Sequence, residues 1–324
     1  KHDEAFSSGA MVLVFQAKDS TGKNKEGKAY RIDNHIDIKH DFLPSATAGH
    51  RTLKLGVVPA DATEAIAKAS IENPMKTAVA GSIAIVDSNG QCLAEKPLSF
   101  APGVTCSTEI AFKLGFSEDQ ALKRYTVRLS YKTDLSSFSD EAQIFVRKLS
   151  KAEDSPICVQ KKFYGYEKPL YILANERIEA SFDPAQGGRM IELIDRESCT
   201  NQIHFDYAML GALKSIPFSY AIWFDINGGK DSVWNVEEAQ NGHLKLRFSN
   251  DKNALDSSML WMIESSNSAL KLESSVSNKS SDSATVKFHM HPEYSISGRA
   301  KSTTDFLLFP TKSGISKIPF WTGL

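Results

Sequence analysis

Four cysteines in 324 residues, Cys92, Cys106, Cys158 and Cys199, with no Cys-x-x-Cys among them, exclude a zinc ribbon and a small disulfide-stapled scaffold. Cys92 and Cys106 both follow turn residues and either face each other across neighbouring strands or remain free thiols, since spacing alone does not fix Cβ geometry. Net charge is scarce too: 38 Lys and Arg against 39 Asp and Glu leave −1, so neither nucleic acid nor an acidic membrane surface is an expected partner. No apolar run approaches the roughly 20 residues that cross a bilayer as a helix, and no membrane span is expected. Gly187-Gly188 is not followed by Lys-Ser/Thr, which excludes a phosphate-binding P-loop. The sequence opens on Lys1 rather than Met, so it reads as a processed or excised piece, and a missing signal peptide does not argue for the cytosol.

What is present is strand pattern. A hydrophobic share of 41% supports two cores more readily than one in a chain of this length. Residues 1–50 hold strands of uncertain assignment: Ala10 to Phe15 is a short apolar run, and Ile32, Ile36 and Ile38 form a stripe beside polar partners. His35, Asp37 and His40 imitate a metal site, but spacing places no compelling further ligands to complete it, so solvated side chains and no metal are expected. From residue 51 to 149 about seven short strands alternate with turns such as Asp87-Ser88-Asn89-Gly90, the period of an immunoglobulin-like or fibronectin-like sandwich rather than of βαβ units. Asp61 to Ala69 favours a turn or short helix entering a strand, because Ala and Glu are helix formers. Residues 150–160, with Lys-Ala-Glu-Asp-Ser-Pro, read as a linker.

A second domain is expected over 161–324. Strands are predicted at 161–166, 178–182, 190–194, 218–226, 243–248 and 259–263, with the glycines of Gly187-Gly188 relieving steric strain in a hairpin. Leu270 to Val276 and Ala284 to Met290 read as two strands around the turn Asn278 to Ser283. In the second of them Val286, Phe288 and Met290 share one face, while Lys287, His289 and His291 share the other. Trp223, Trp234 and Trp261 offer flat apolar faces suited to stacking on a sugar ring, although a core position is the commoner fate of each.

Two motifs resemble the galactose-mutarotase-like β-supersandwich superfamily over residues 170–310. The first runs from Leu173-Ala174-Asn175-Glu176-Arg177-Ile178 through Phe182-Asp183-Pro184 to Gly187-Gly188-Arg189 and Ile194-Asp195. The second is Val276-Ser277-Asn278-Lys279-Ser280 followed by His291-Pro292-Glu293-Tyr294. The resemblance implies that His291 corresponds to the histidine that acts as general acid toward the ring oxygen in sugar epimerases, with His289 as its same-face partner. It also implies a base near the domain's C-terminal end, for which this sequence shows no clear counterpart. The expected fold class is therefore all-β, an immunoglobulin-like sandwich followed by a partial mutarotase-like supersandwich.

The leading functional expectation is a noncatalytic carbohydrate-associated module of a larger polysaccharide- or glycoside-processing protein, secreted or periplasmic, without cofactor. Its partners would be carbohydrate, through His289, His291, Arg299, Trp223, Trp234 and Trp261, and a catalytic domain of the same precursor. The alternatives are a sugar epimerase, hydrolase or lyase component using His291, and a structural or interaction protein.

Overall fold

The computed structural model describes residues 11–18, 24–32, 45–47, 55–73, 78–132, 137–151, 155–203, 222–250, 254–291, 306–311 and 314–319. Among them the architecture is all-β, with helix limited to 3-10 turns at Pro184–Gln186 and Gly229–Asp231. No helix among the described residues is long and apolar enough to cross a membrane. The chain divides into two compact units. The first comprises Lys1–Gly56, Thr63–Leu114 and Arg124–Val146, and the second comprises Val57–Ala62, Gly115–Lys123 and Arg147–Leu324.

In the first unit β1 (Met11–Lys18) and β2 (Asn24–Ile32) form an antiparallel pair. They precede β3 (Ser45–Thr47), β4 (Leu55–Val58), β5 (Glu64–Glu72), β6 (Val79–Val86) and β7 (Cys92–Phe100). Next come β8 (Thr105–Lys113), β9 (Gln120–Lys132) and β10 (Ser137–Lys148), with residues 57–58 of β4, 120–123 of β9 and 147–148 of β10 counted in the second unit. One sheet has the order β3-β5-β8, and another places β7, β6, β9 and β10 side by side. Phe112 of the former meets Tyr125 of the latter edge-on, with ring centroids 4.9 Å apart, which is how two sheet faces interdigitate in a sandwich core. Asp87 closes the β6–β7 turn by accepting from the N–H groups of Asn89 (2.9 Å) and Gln91 (2.8 Å).

Two readings that the sequence leaves open are decided here. A turn at Ala60-Asp61 enters strand β5, which pairs with β8 from Glu64 to Glu72, so the turn alternative holds and cross-strand pairing overrides helix propensity. Ala67, Ala69 and Ile71 point inward, whereas Ile66 is exposed on the opposite face. Cys92 is a free, exposed thiol opposite Val86, so no Cys92–Cys106 bridge forms; Cys106 pairs with Ile71 in the other sheet. His35, Asp37 and His40 lie outside the described residues.

The second unit begins with β11 (Ile157–Phe163), β12 (Leu170–Ala174), β13 (Ile178–Asp183), β14 (Arg189–Asp195) and β15 (Thr200–Asn201), an antiparallel meander. It continues with β16 (Trp223–Ile226), then β17 (Asn235–Gln240), β18 (His243–Asn250), β19 (Leu255–Ile263) and β20 (Leu270–Asn278), which form a second meander in that order. Strand β21 (Phe288–His291) and the hairpin of β22 (Phe306–Thr311) with β23 (Gly314–Pro319) complete it. Phe182 of β13 and Phe224 of β16 both pack on Trp261 of β19, at 4.9 and 5.4 Å between ring centroids, within a shared apolar core. The predicted hairpin of residues 270–290 does not form: β20 pairs with β19, and β21 pairs with β16.

Every residue of β13 is buried. Ile178, Ala180 and Phe182 feed the core, and Glu179 and Ser181 alternate with them. The Arg147 guanidinium donates to Glu179 (2.5 Å) and to both carboxylate oxygens of Glu192 (2.9 and 3.2 Å), and all three side chains are fully buried. Arg196 donates to Glu179 (2.8 Å) and to the Ser150 carbonyl (2.9 Å), while Ser181 donates to Glu192 (2.5 Å). Two guanidinium groups thus face two carboxylates, and each carboxylate accepts several bonds, the condition under which buried charge is tolerated. The span predicted as a linker contains buried Ser150, whose N–H donates to Glu179 (2.8 Å), and the first residues of β11 from Ile157.

Candidate functional site

Strands β16 and β21 form a two-stranded ribbon with the register Trp223↔His291, Phe224↔Met290, Asp225↔His289 and Ile226↔Phe288. Alternation puts Trp223, Asp225, His289 and His291 on one face. The His291 ring lies 4.9 Å from the Trp223 ring at 15°, and the His289 ring lies 5.3 Å away at 16°, so both imidazoles stack nearly parallel to one indole. Lys230 holds its ammonium over the same indole, 5.4 Å from the centroid. Beside them Asp225 is half-buried, and its Oδ1 has no hydrogen-bond partner among the described residues.

The neighbouring turns hold Lys230 in place. Gly187 adopts φ +73°, and a Cβ there would come within 1.9 Å of the Lys230 carbonyl oxygen, so only glycine lets the β13–β14 turn approach residues 229–232 so closely. The Gly187 N–H donates to the Ser232 carbonyl (2.7 Å), the Trp234 N–H donates to Pro184 (2.8 Å), and the Trp234 indole donates to Gly229 (2.8 Å). Arg189 donates to Asp231 across the same junction, at 2.5 Å. At the start of the turn Asp183 accepts from the Tyr166 hydroxyl (2.5 Å) and from the Ala185 N–H (3.0 Å). Burial raises the Asp183 carboxyl and, together with the adjacent Asp183 charge, raises the Tyr166 phenol. Tyr166, which also accepts from the Gln186 side chain at 3.1 Å, and Asp183 thus tie the turn to its neighbours.

His289 and His291 come together as the alternation predicts, with His289 exposed and His291 half-buried. The three tryptophans do not provide an open stacking surface. Trp234 and Trp261 are 1% and 3% exposed within the core cluster, and Trp223, at 5%, supports the imidazoles instead of presenting a free face. Arg299, Pro292, Glu293 and Tyr294 lie outside the described residues. The apolar residues at and before β21 are largely exposed, Val286, Phe288 and Met290 by 50%, 54% and 43%, although the Phe288 ring lies 6.1 Å from that of Phe224. Sequence inspection passed over Asp225 and Lys230. Only the pairing of β16 with β21 brings Asp225 beside the histidines, and that pairing joins segments more than 60 residues apart. Among the described residues no group of three His, Cys, Asp or Glu side chains is arranged to hold a metal ion.

A scan of protein-family models finds no match, and no curated protein is significantly similar. Solved structures give weak likenesses. The periplasmic chaperone SfaE covers 49% of this chain and 95% of its own at 8% identity, with a TM-score of 0.26. The E. coli chaperone DraB covers 48% and 82% at 9% identity, with a TM-score of 0.27. A DUF4784 family protein from Bacteroides caccae covers 86% and 84% at 10% identity, with a TM-score of 0.14. Likeness at these scores carries neither a fold assignment nor a function to this chain.

Proposed function

We propose that the chain is a noncatalytic carbohydrate-associated protein, a sandwich of immunoglobulin-like type followed by a mutarotase-like supersandwich, acting beside a catalytic domain in a secreted or periplasmic setting. The observation that supports the sugar site is the pair of imidazoles stacked on buried Trp223 next to the unpartnered Asp225 oxygen. Stacking fixes both rings before a ligand arrives, which lowers the ordering entropy of binding. A sugar hydroxyl donates to the half-buried Asp225 carboxylate, and the exposed His289 imidazole and the Lys230 ammonium supply further polar contacts around the ring. Isothermal calorimetry against neutral and acidic oligosaccharides tests this, with His289→Ala and Asp225→Asn beside the unaltered protein. Binding heat that disappears in both variants is expected. Absence of heat at millimolar ligand, or heat unchanged in both variants, contradicts the site.

Asp225 also favours a second reading. It places a carboxylate directly across from His289, so a base and an acid for sugar ring opening share one face. Polarimetry on freshly dissolved glucose and galactose separates the two. The noncatalytic reading expects the rate of buffer alone, and a protein-dependent rate that collapses in His291→Ala would replace it with an epimerase.

A further inference from the structure

Away from the ribbon, the second unit carries a cleft of about 760 Å³ lined by none of the histidines or tryptophans. This volume falls within the roughly 300–1,000 Å³ range of small-ligand pockets. Its floor is aliphatic, with Leu149, Ile178, Leu193 and Leu270, and Pro59 adds to one side. Its charged wall is mostly committed. Arg196 is bonded to Glu179 and to the Ser150 carbonyl. Asp195 accepts from the Glu197 N–H at 2.9 Å, and a hydrogen bond from Ser266 holds Glu176 and lowers its carboxyl. The Arg177 and Ile178 N–H groups are used by the Asn175 side chain, at 2.8 and 2.9 Å. Arg177 and Glu197 line the cleft without a side-chain hydrogen bond or ion pair among the described residues, and the Arg177 charge acts on the neighbouring Glu176 carboxyl.

We propose that this cleft binds the C-terminal end of a peptide whose last residue is aliphatic. The three features complement such a ligand one by one. A terminal carboxylate meets the Arg177 guanidinium in a charge-assisted, fork-to-fork hydrogen bond. The aliphatic side chain covers the leucine and isoleucine floor, and a peptide N–H donates to Glu197. A saccharide would find no aromatic ring to stack on among the lining residues and would leave the apolar floor uncovered. The proposal stands independently of the sugar site, since the two share no residue.

The test is an amide NMR titration with Ala-Ala-Leu, its C-terminally amidated form, and an oligogalacturonate. Resonances of residues 176–178, 193–197 and 268–270 are expected to shift with the free peptide, and amidation or Arg177→Gln should weaken binding about tenfold or more. Arg177 is exposed, so an unchanged spectrum and Tm will show that the variant folds. His289→Ala should leave peptide binding intact. Three results overturn the proposal: no shift at millimolar peptide, equal binding of the amidated peptide, or shifts at these residues with the oligogalacturonate alone.

Discussion

The second unit holds two clusters of ionisable side chains that differ in one respect, hydrogen-bond saturation. Around β13 and β14, Arg147, Arg196, Glu179 and Glu192 bond to one another, to Ser150 and to Ser181, and the first, third and fourth of these are fully buried. On the β16–β21 ribbon, Asp225 keeps an oxygen without a partner while His289 is exposed beside it. The first cluster is bonded largely within itself and serves the fold. The second has two rings stacked on one indole and an Asp225 oxygen without a partner among the described residues, a combination suited to recognition.

The largest break in that comparison is Arg147→Met. It leaves Glu179 and Glu192 buried without their main cation, and the expected loss is about 3–5 kcal/mol of unfolding free energy. Urea denaturation measures it, and a loss as small as that of a surface substitution would show that the network is not what holds β13 and β14. Gly187→Ala comes next, at about 2 kcal/mol, because the new methyl group meets the Lys230 carbonyl at a positive φ. It should also displace Lys230 from Trp223 and weaken any ligand bound at the ribbon, whereas Arg147→Met in its surviving folded fraction should not. By contrast, His289→Ala and Asp225→Asn should each change stability by no more than about 0.5 kcal/mol.

The smallest effect sharpens the role of burial. Asp119 pairs with Lys162 at 2.7 Å on the surface, and hydrogen bonds from Lys162 and Ser117 hold its carboxyl down at about 2. A depressed folded value means the pair's contribution is complete above the unfolded carboxylate value, about 3.9, and disappears as pH falls through the folded one. Carboxyl NMR titration should find Asp119 ionising well below the ordinary range, with the difference shrinking in salt. A normal titration would mean that the exposed pair does not persist in solution.

Local pattern made much of the strand content legible. Val79 to Val86 is strand β6 as its apolar run and following Asp-Ser-Asn-Gly turn indicate, and the His289/His291 face follows from period-two alternation. Pairing partners were not legible. The turn at Asn278 to Ser283 invites a hairpin, yet Leu270 to Asn278 finds its ladder on β19 and the histidine strand finds Trp223. Long-range pairing is decided by which faces bury together, and neither Glu179 nor Asp225 carries that information in its neighbours along the chain. All three tryptophans are buried and look alike in the sequence, and only ring stacking on His289 and His291 sets Trp223 apart from Trp234 and Trp261 in the core cluster.

The most direct test of the ribbon as a binding face is imidazole NMR during an oligosaccharide titration. His289 and His291 should shift together and saturate, while His243, on β18 beside Glu238, stays fixed as an internal reference. Asp225→Asn should abolish the movement without altering the ligand-free spectrum elsewhere. Imidazole resonances that do not move, or that move equally at His243, would contradict the account.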